Sequence, residues 1–413
     1  MNRREVKRAP VLRFKGFTND WEQRTLKKLG FFYKGKGYTK KDLINNGVPI
    51  LLYGELYTHY SEKISNTRLH SKLLLHSIFS AGNEVVLPDS GETSTDIARA
   101  SWISNSGIIL AGGLIIIKPN EYIFPGFLAY SLTYGENHKL LASRAQGKSI
   151  VHIHANDLKT LNIIYPENLK EQQRIFALLE KLNKCIALQQ RKNILLYKLR
   201  KSLLSTLLTD KCTPKVRFKS FLEPLKKQKL GDMAPLRGGF AFKANNYVNT
   251  GIPIIRISNI LSNGSIGGNF AYYSEQSDDS NYILFNGSAL IAMSGATTGK
   301  TAILDLEKKK KVYQNQRVGY FTPTKNSDYS FIKAIIKSNY FLKQLNSIMV
   351  AGAQPNVSAV DIDNFTFYFP ESKKEQKYIG NNFEIINKII LLQKNRVDKL
   401  KKLKRSLLQQ LFI

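Results

Sequence analysis

YPENLKEQQRI (Tyr165–Ile175) returns 204 residues later as FPESKKEQKYI (Phe369–Ile379). The same spacing links LRFKGF (Leu12–Phe17) to VRFKSF (Val216–Phe221), and GVPI (Gly47–Ile50) to GIPI (Gly251–Ile254). Between these anchors the register slips: Leu29-Gly30 matches Leu230-Gly231 at 201, and the segments near Gly147 and Gly352 differ by about one residue. An offset that leaves 204 and returns to it across unlike segments is hard to reach by convergent composition. The chain is therefore two copies of one module.

Each quoted stretch opens a long amphipathic pattern. In the first copy the repeating positions are Ile175, Leu179, Leu182, Ile186, Gln189, Leu196 and Leu203. In the second they are Ile379, Phe383, Ile386, Ile390, Gln393, Leu400 and Leu407. Alternating steps of four and three residues make a heptad seam, which predicts a helix packed along another helix. No Pro or Gly interrupts Leu169–Leu208, and Gly380 is the one exception in the second stretch. An ungapped comparison of Tyr165–Thr209 with Phe369–Ile413 gives 19 identities in 45 positions. Polar seam residues at matched places, Gln189 with Gln393 and Arg200 with Lys404, favour mutual pairing over two independent amphipathic helices. Because domain and helix alternate along the chain, the helices can lie antiparallel in one molecule, with the globular parts at opposite ends of a two-helix rod.

The chain has 413 residues and 43% hydrophobic residues, enough for two or three domains with real cores. A formal charge of +31 favours a polyanionic partner. Cys185 and Cys212 cannot make a disulfide framework or a zinc site by themselves. The basic start MNRREVKRAP lacks a following apolar core, and GIILAGGLIII (Gly107–Ile117) is too short for a membrane span. The expected setting is a reducing cytoplasm, with no membrane partner.

SGATTGKT (Ser294–Thr301) ends like a nucleotide-binding P-loop, and an enzyme using Gly299-Lys300-Thr301 is the alternative to weigh. The first glycine of that motif would fall at position 294, which is Ser294. The internal copy, SGETSTD (Ser90–Asp96), keeps Ser-Gly-x-Thr and lacks Gly-Lys. The shared element is a strand entering a tight turn. His152 and His154 suggest a metal pair, but their counterparts Asn356 and Ser358 do not, and no metal site is expected. PDSGE (Pro88–Glu92) is half of a nuclease carboxylate motif without its Glu-x-Lys, and no NPPY-like methyltransferase motif occurs. No catalytic constellation is found.

Taken together, the tandem modules, MSGATTGK, NQRVG (Asn315–Gly319), AQPNVSAVDI (Ala353–Ile362) and the two P-E-x-x-K-E-Q helix starts at Pro166 and Pro370 resemble the specificity subunits of type I restriction–modification systems over essentially the whole chain. The resemblance implies an α/β (α+β) fold: two tandem globular target-recognition domains separated by two long antiparallel coiled-coil helices, with an internal pseudo-two-fold duplication. The expected boundaries are 1–166 and 211–370 for the domains, and 167–210 and 371–413 for the spacer helices. It implies a non-catalytic subunit that reads a bipartite, asymmetric site in double-stranded DNA, one half per domain. The helices would be a ruler and a dock for two methylation subunits, which bind S-adenosylmethionine. Restriction subunits with an ATP- and magnesium-dependent motor would join later, and this chain itself would bind no cofactor. A non-specific DNA-bridging protein is the other alternative.

Readout needs Arg, Lys, Asn or Gln aimed at base edges, with small polar turns on phosphates. Strand-end loops at matched places are the candidates. In the first module they supply Lys34, Lys36, Tyr53, Ser90, Gly91, Thr93, Gln146 and Lys148. In the second they supply Arg237, Arg256, Asn259, Ser294, Gly295, Thr297, Lys300, Gln316, Arg317, Gln354 and Asn356. Lys36, Lys148, Arg256, Lys300, Arg317 and Gln354 lead this set. The NQR segment could equally brace its domain from inside.

Overall fold

The computed structural model describes residues 9–147, 150–214, 216–306, 311–349 and 356–412. Lys148 and Gln354 lie outside the described residues. The chain divides into two compact units, Met1–Gln189 with Arg396–Ile413, and Gln190–Asn395. The two long helices are Leu169–Leu207 and Lys373–Leu411, which are 204 residues apart at both ends. Each helix begins in one unit and ends in the other.

In the first unit the central sheet has the order Gly30–Lys34, Leu114–Pro119, Glu84–Pro88, Ser101–Ile103, Lys63–Ile64. The apolar run in strand Leu114–Pro119 follows from the sheet being covered on both faces. Alternate side chains point to opposite sides of a strand. Ile115 and Ile117 accordingly enter one core with Val85 and Leu87, while Leu114 and Ile116 enter another with Val86. A second sheet has the order Leu69–Ser71, Leu43–Leu51, Ser106–Leu110, Phe79–Ala81, its two middle strands parallel.

The second unit repeats this topology without a counterpart of strand Lys63–Ile64. One sheet runs Leu236–Arg237, Val318–Phe321, Ala289–Ala292, Thr301–Ile303. The other runs Ala271–Tyr273, Ile252–Ile255, Val312–Gln314, Ile283–Leu284, again with a parallel middle pair. The duplication thus extends to strand order and direction, although sequence identity outside the helices is low.

The P-E-x-x-K-E-Q stretch fastens each long helix to its own domain. Glu171 accepts two hydrogen bonds from Arg13, at 2.7 and 2.9 Å, and Glu375 accepts two from Arg217, both at 2.7 Å. Gln172 accepts from Phe124 N and donates to the carbonyl of Pro166; Gln376 accepts from Asp328 N and donates to the carbonyl of Pro370. All four of these Glu and Gln side chains are buried. Every partner in one set is 204 residues from its equivalent in the other. The repeated LRFKGF and VRFKSF segments are therefore the other half of this latch.

The first unit's core holds Ile175, Phe176 and Leu179 from the start of one long helix, with Leu408, Leu411 and Phe412 from the end of the other. Phe412 stacks on Tyr130 with ring centroids 6.2 Å apart. In the second unit Ile379 and Phe383 share a core with Leu208, and Leu204 and Leu207 pack against it. Within each unit the two helices run in opposite directions. The seam residues Leu182, Ile186, Ile390 and Gln393 are buried, and Gln189, Leu196, Leu203, Ile386, Leu400 and Leu407 are half-buried.

Gly380 has a specific neighbour. A Cβ there would lie 2.4 Å from the carbonyl carbon of Ser330 and 2.6 Å from Phe331 N. The first copy makes the same contact with the sizes exchanged: Phe176 stands at the Gly380 place and presses on Gly126, the counterpart of Ser330. Gly380→Ala should gain roughly 1 kcal/mol in helix propensity. Because the neighbour is backbone, overpacking of about 1–3 kcal/mol wins. A lowered thermal midpoint is the expected result; an unchanged or raised one would contradict this packing.

Candidate nucleic-acid interface

In the first unit, backbone hydrogen bonds gather the candidate loops into one rim. Gly35 N donates to Leu114 O, Lys36 N to Leu110 O, and Gly112 N to Gly37 O. Asp89 N donates to Gly113 O, and Ile153 N to Asp89 O. Ser90 and Gly91 pair with His152 and Val151, and Gln146 bridges to His152. Tyr53 lies against Gly113, where an added Cβ would meet its ring at 2.7 Å. The side chains of Lys34, Lys36, Tyr53, Thr93 and Gln146 are exposed, and Ser90 and Gly91 are half-buried. Lys34 sits 3.9 Å from Asp89.

The second unit builds its rim on the same frame. Met293 N donates to Arg317 O and Val357 N to Met293 O, each residue 204 from Asp89, Gly113, Ile153 and their bonds. Asn315 N donates to Ile255 O, Gln316 N to Phe240 O, and the Thr297 hydroxyl to Ile257 O. Gln316, Arg317, Gly295 and Asn356 are exposed; Arg256, Ser294, Thr297 and Lys300 are half-buried. Arg317 is exposed where the first unit has Gly113 against Tyr53, so the two rims share backbone and differ in side chains.

Several candidates spend part of their polarity within the domain. Asn259 is 1% exposed, and its amide is spent on Arg256 N, Gly267 O and Asn269 O. It shapes the loop from inside and has no free edge for a base. Arg237 is half-buried over the Tyr320 ring, donates to Ile283 O and Gln314, and has its pKa lowered by burial. Gln314 in turn donates to Arg237 O and Val318 O while fully buried. Of the QNQR segment, Gln314 braces the domain and Gln316 and Arg317 face solvent. Thr93 is exposed, but its hydroxyl accepts Asp96 N as the cap of helix Ser94–Ile97. Arg256 donates one arm to Asn269 O.

The nucleotide-binding alternative fails on geometry. Lys300 closes a hairpin, its carbonyl accepting Ala292 N at 2.9 Å. The residues after it, Thr301–Ile303, form a strand antiparallel to Ala289–Ala292. A P-loop needs a helix N-terminus at that point, where amide groups meet the phosphates. His154 caps helix Ala155–Lys159, matching Ser358 at helix Ala359–Asp363. Among the described residues no group of three or more His, Cys, Asp or Glu could hold a metal. No described helix is long and apolar enough to cross a membrane.

The family described as type I restriction modification DNA specificity domain matches residues 18–197 and again residues 223–402. The chain belongs to this family. The two matches fall on the two modules and include most of each long helix. The chain is also similar to the type I restriction enzyme MjaVIII specificity subunit of Methanocaldococcus jannaschii, 22% identical over 342 residues that cover 80% of this chain and 78% of that protein. Its fold is similar to the S subunit of a type I restriction-modification system from M. genitalium, with 16% identity, a TM-score of 0.65, and 98% and 99% of the two chains covered. A structure from work on complex assembly and conformational transition of the type I R-M system aligns with 16% identity and a TM-score of 0.53 over 95% and 97%. At these identities the structural likeness speaks for the fold.

Proposed function

We propose that this specificity subunit reads a bipartite, asymmetric DNA site, with residues 1–166 and 211–370 as recognition domains and residues 167–210 and 371–413 as spacer helices. The observation that carries the proposal is the pair of rims: one backbone frame, used twice, with different side chains. Two such surfaces suit two unlike half-sites separated by an unread gap. Lys36, Tyr53 and Gln146 would face the first half-site, and Lys300, Gln316, Arg317 and Asn356 the second, with the turns at Ser90–Gly91 and Ser294–Gly295 against phosphates. Lys148 and Gln354 belong to the same proposal.

The chain would act without chemistry of its own, in the cytoplasm. Two methylation subunits would bring S-adenosylmethionine and adenine methylation, and restriction subunits would bring the ATP- and magnesium-dependent motor and nuclease. Apolar side chains off the helix seam support a docking role. Ile194, Leu195, Leu199, Ile389, Leu391 and Leu392 are 41–68% exposed. Exposed apolar clusters of this kind mark protein contacts.

The test is coexpression with the cognate methylation subunits, followed by methylation mapping. Two half-motifs around a fixed gap are expected. Arg317→Ala should weaken discrimination in the second half-motif only, by about 1–3 kcal/mol if it reads a base bidentately. Methylation without sequence preference, or failure of the subunits to assemble, would overturn the reading.

A further inference from the structure

In the first unit, strands Leu69–Ser71 and Phe79–Ala81 are joined by a short connection containing Leu73-Leu74-Leu75-His76. Leu75 is 92% exposed and Leu73 is 61% exposed, while Leu74 packs inward beside Tyr38. A loop with two bare leucines at its tip would ordinarily be free to fold them away. This one is held. The Tyr38 hydroxyl accepts Leu74 N and bonds the Ser77 hydroxyl, which donates to Leu74 O. Lys72 N donates to Asp42 O. Tyr38 and His76, at φ 61 and 62, are the non-glycine residues with positive φ among those described, and both lie in this knot. Strain kept at a solvent-facing loop points to use of that loop.

The surroundings select the kind of partner. Lys36, Lys40, Lys41 and His76 are exposed on the segments that the knot joins, and exposed Lys72 pairs with Asp42 at 3.3 Å. Tyr38 also ties the tip to the loop that carries Lys36, so the leucines stand beside the rim proposed to read DNA. Leucine wedges flanked by basic residues are a recognised way to enter a base stack and bend a duplex. The internal copy supplies a control. The same connection in the second unit, 204 residues on, reads Gln276-Ser-Asp-Asp-Ser-Asn281. There Asp279 accepts from Tyr313 and pairs with Lys311, while Asp278 is exposed, so the turn is polar and carries no apolar tip. The leucine tip is private to the first module.

We propose that Leu73 and Leu75 form a wedge that partly unstacks one base step in or beside the half-site read by the first domain. That half-site would then be selected partly by how easily it deforms. The proposal rests on the DNA-recognition reading above.

The test uses the full chain assembled with its methylation subunits and duplexes carrying the mapped target. 2-Aminopurine is placed at each position in and around the first half-site except the methylated adenine. Binding of the unaltered complex should raise fluorescence at one step, and the Leu73→Ala/Leu75→Ala variant should abolish that rise. The variant should also bind its target about tenfold more weakly, with an unchanged melting temperature because neither side chain enters a core. A rise at no position, or a rise that persists in the variant, would overturn the wedge. So would a variant that no longer assembles with the methylation subunits, since the tip would then be a protein contact. Failure of the underlying reading is seen separately, as absence of site-specific methylation by the unaltered complex.

Discussion

Arg217→Ala is expected to cost the second unit about 3–5 kcal/mol, the range for breaking a buried ion pair from one side. Glu375 is 1% exposed, and Arg217 donates a hydrogen bond to each of its carboxylate oxygens. Removing the guanidinium leaves an almost fully buried carboxylate without its counter-charge. The pair holds Arg217 above its ordinary pKa, first through the side-chain hydrogen bond. Replacing both partners together, Arg217→Leu with Glu375→Leu, should recover most of the loss, because an apolar pair has no charge to desolvate. Urea unfolding, with amide exchange of Gln376–Phe383 reporting the affected unit, checks both variants. Equal damage from the single and double changes would show that the pair is not what holds this latch. Arg13→Ala should damage the first unit in the same way through Glu171.

The second large effect concerns charge in the second unit. In the first unit, buried Glu62 accepts from Tyr134, Asn183 and Lys404, at 2.6, 3.0 and 2.7 Å. The counterparts of Asn183 and Lys404 are Asn387 and Arg200, which bond each other at 3.2 Å. Strand Lys63–Ile64, which follows Glu62, has no counterpart in the second unit. Arg200 makes no ion pair with a carboxylate among the described residues. Lys337, whose ammonium donates to Thr301 O, is pushed down to about 8 by burial and then by repulsion from Arg200. A lysine with a lowered folded-state pKa binds fewer protons folded than unfolded between about pH 8 and its ordinary 10.5. Stability should consequently rise with pH across that window. A shift of this size corresponds to about 3 kcal/mol. Comparing the unaltered chain with Lys337→Met isolates this residue from other titrations. The stability of the unaltered chain relative to the variant should climb by up to about 3 kcal/mol between pH 8 and 10.5. A difference independent of pH would sink the account. Arg200→Gln should shrink the slope by removing the second cause.

The long helices were legible because helix periodicity and the lack of breakers are local properties of the chain. The duplication was legible because the copies retain one offset at their fastening points. The structure explains that retention: Arg13, Phe124, Pro166, Glu171 and Gln172 form one latch, and each equivalent lies 204 further on. The P-loop ending of SGATTGKT was rejected from its internal copy, and the hairpin at Lys300 gives the same answer from geometry. The inward hydrogen bonds of Asn259 and Arg237 were not legible, because a polar residue in a strand-end loop looks the same whether its hydrogen-bonding groups face solvent or the backbone of another loop. Leu73 and Leu75 gave no signal at all, since three consecutive leucines read as core.

By itself, the sequence determined the two-module plan, the two long helices and the family, all of which depend on repeats and periodicities within reach of a linear scan. Only the tertiary structure decided which residues spend their polarity inward, which helix end completes which core, and where a carboxylate is missing. Those outcomes turn on partners such as Arg13 with Glu171 and Lys404 with Glu62, which are 158 and 342 residues apart. Contacts over such separations are set by packing, and no local pattern encodes them.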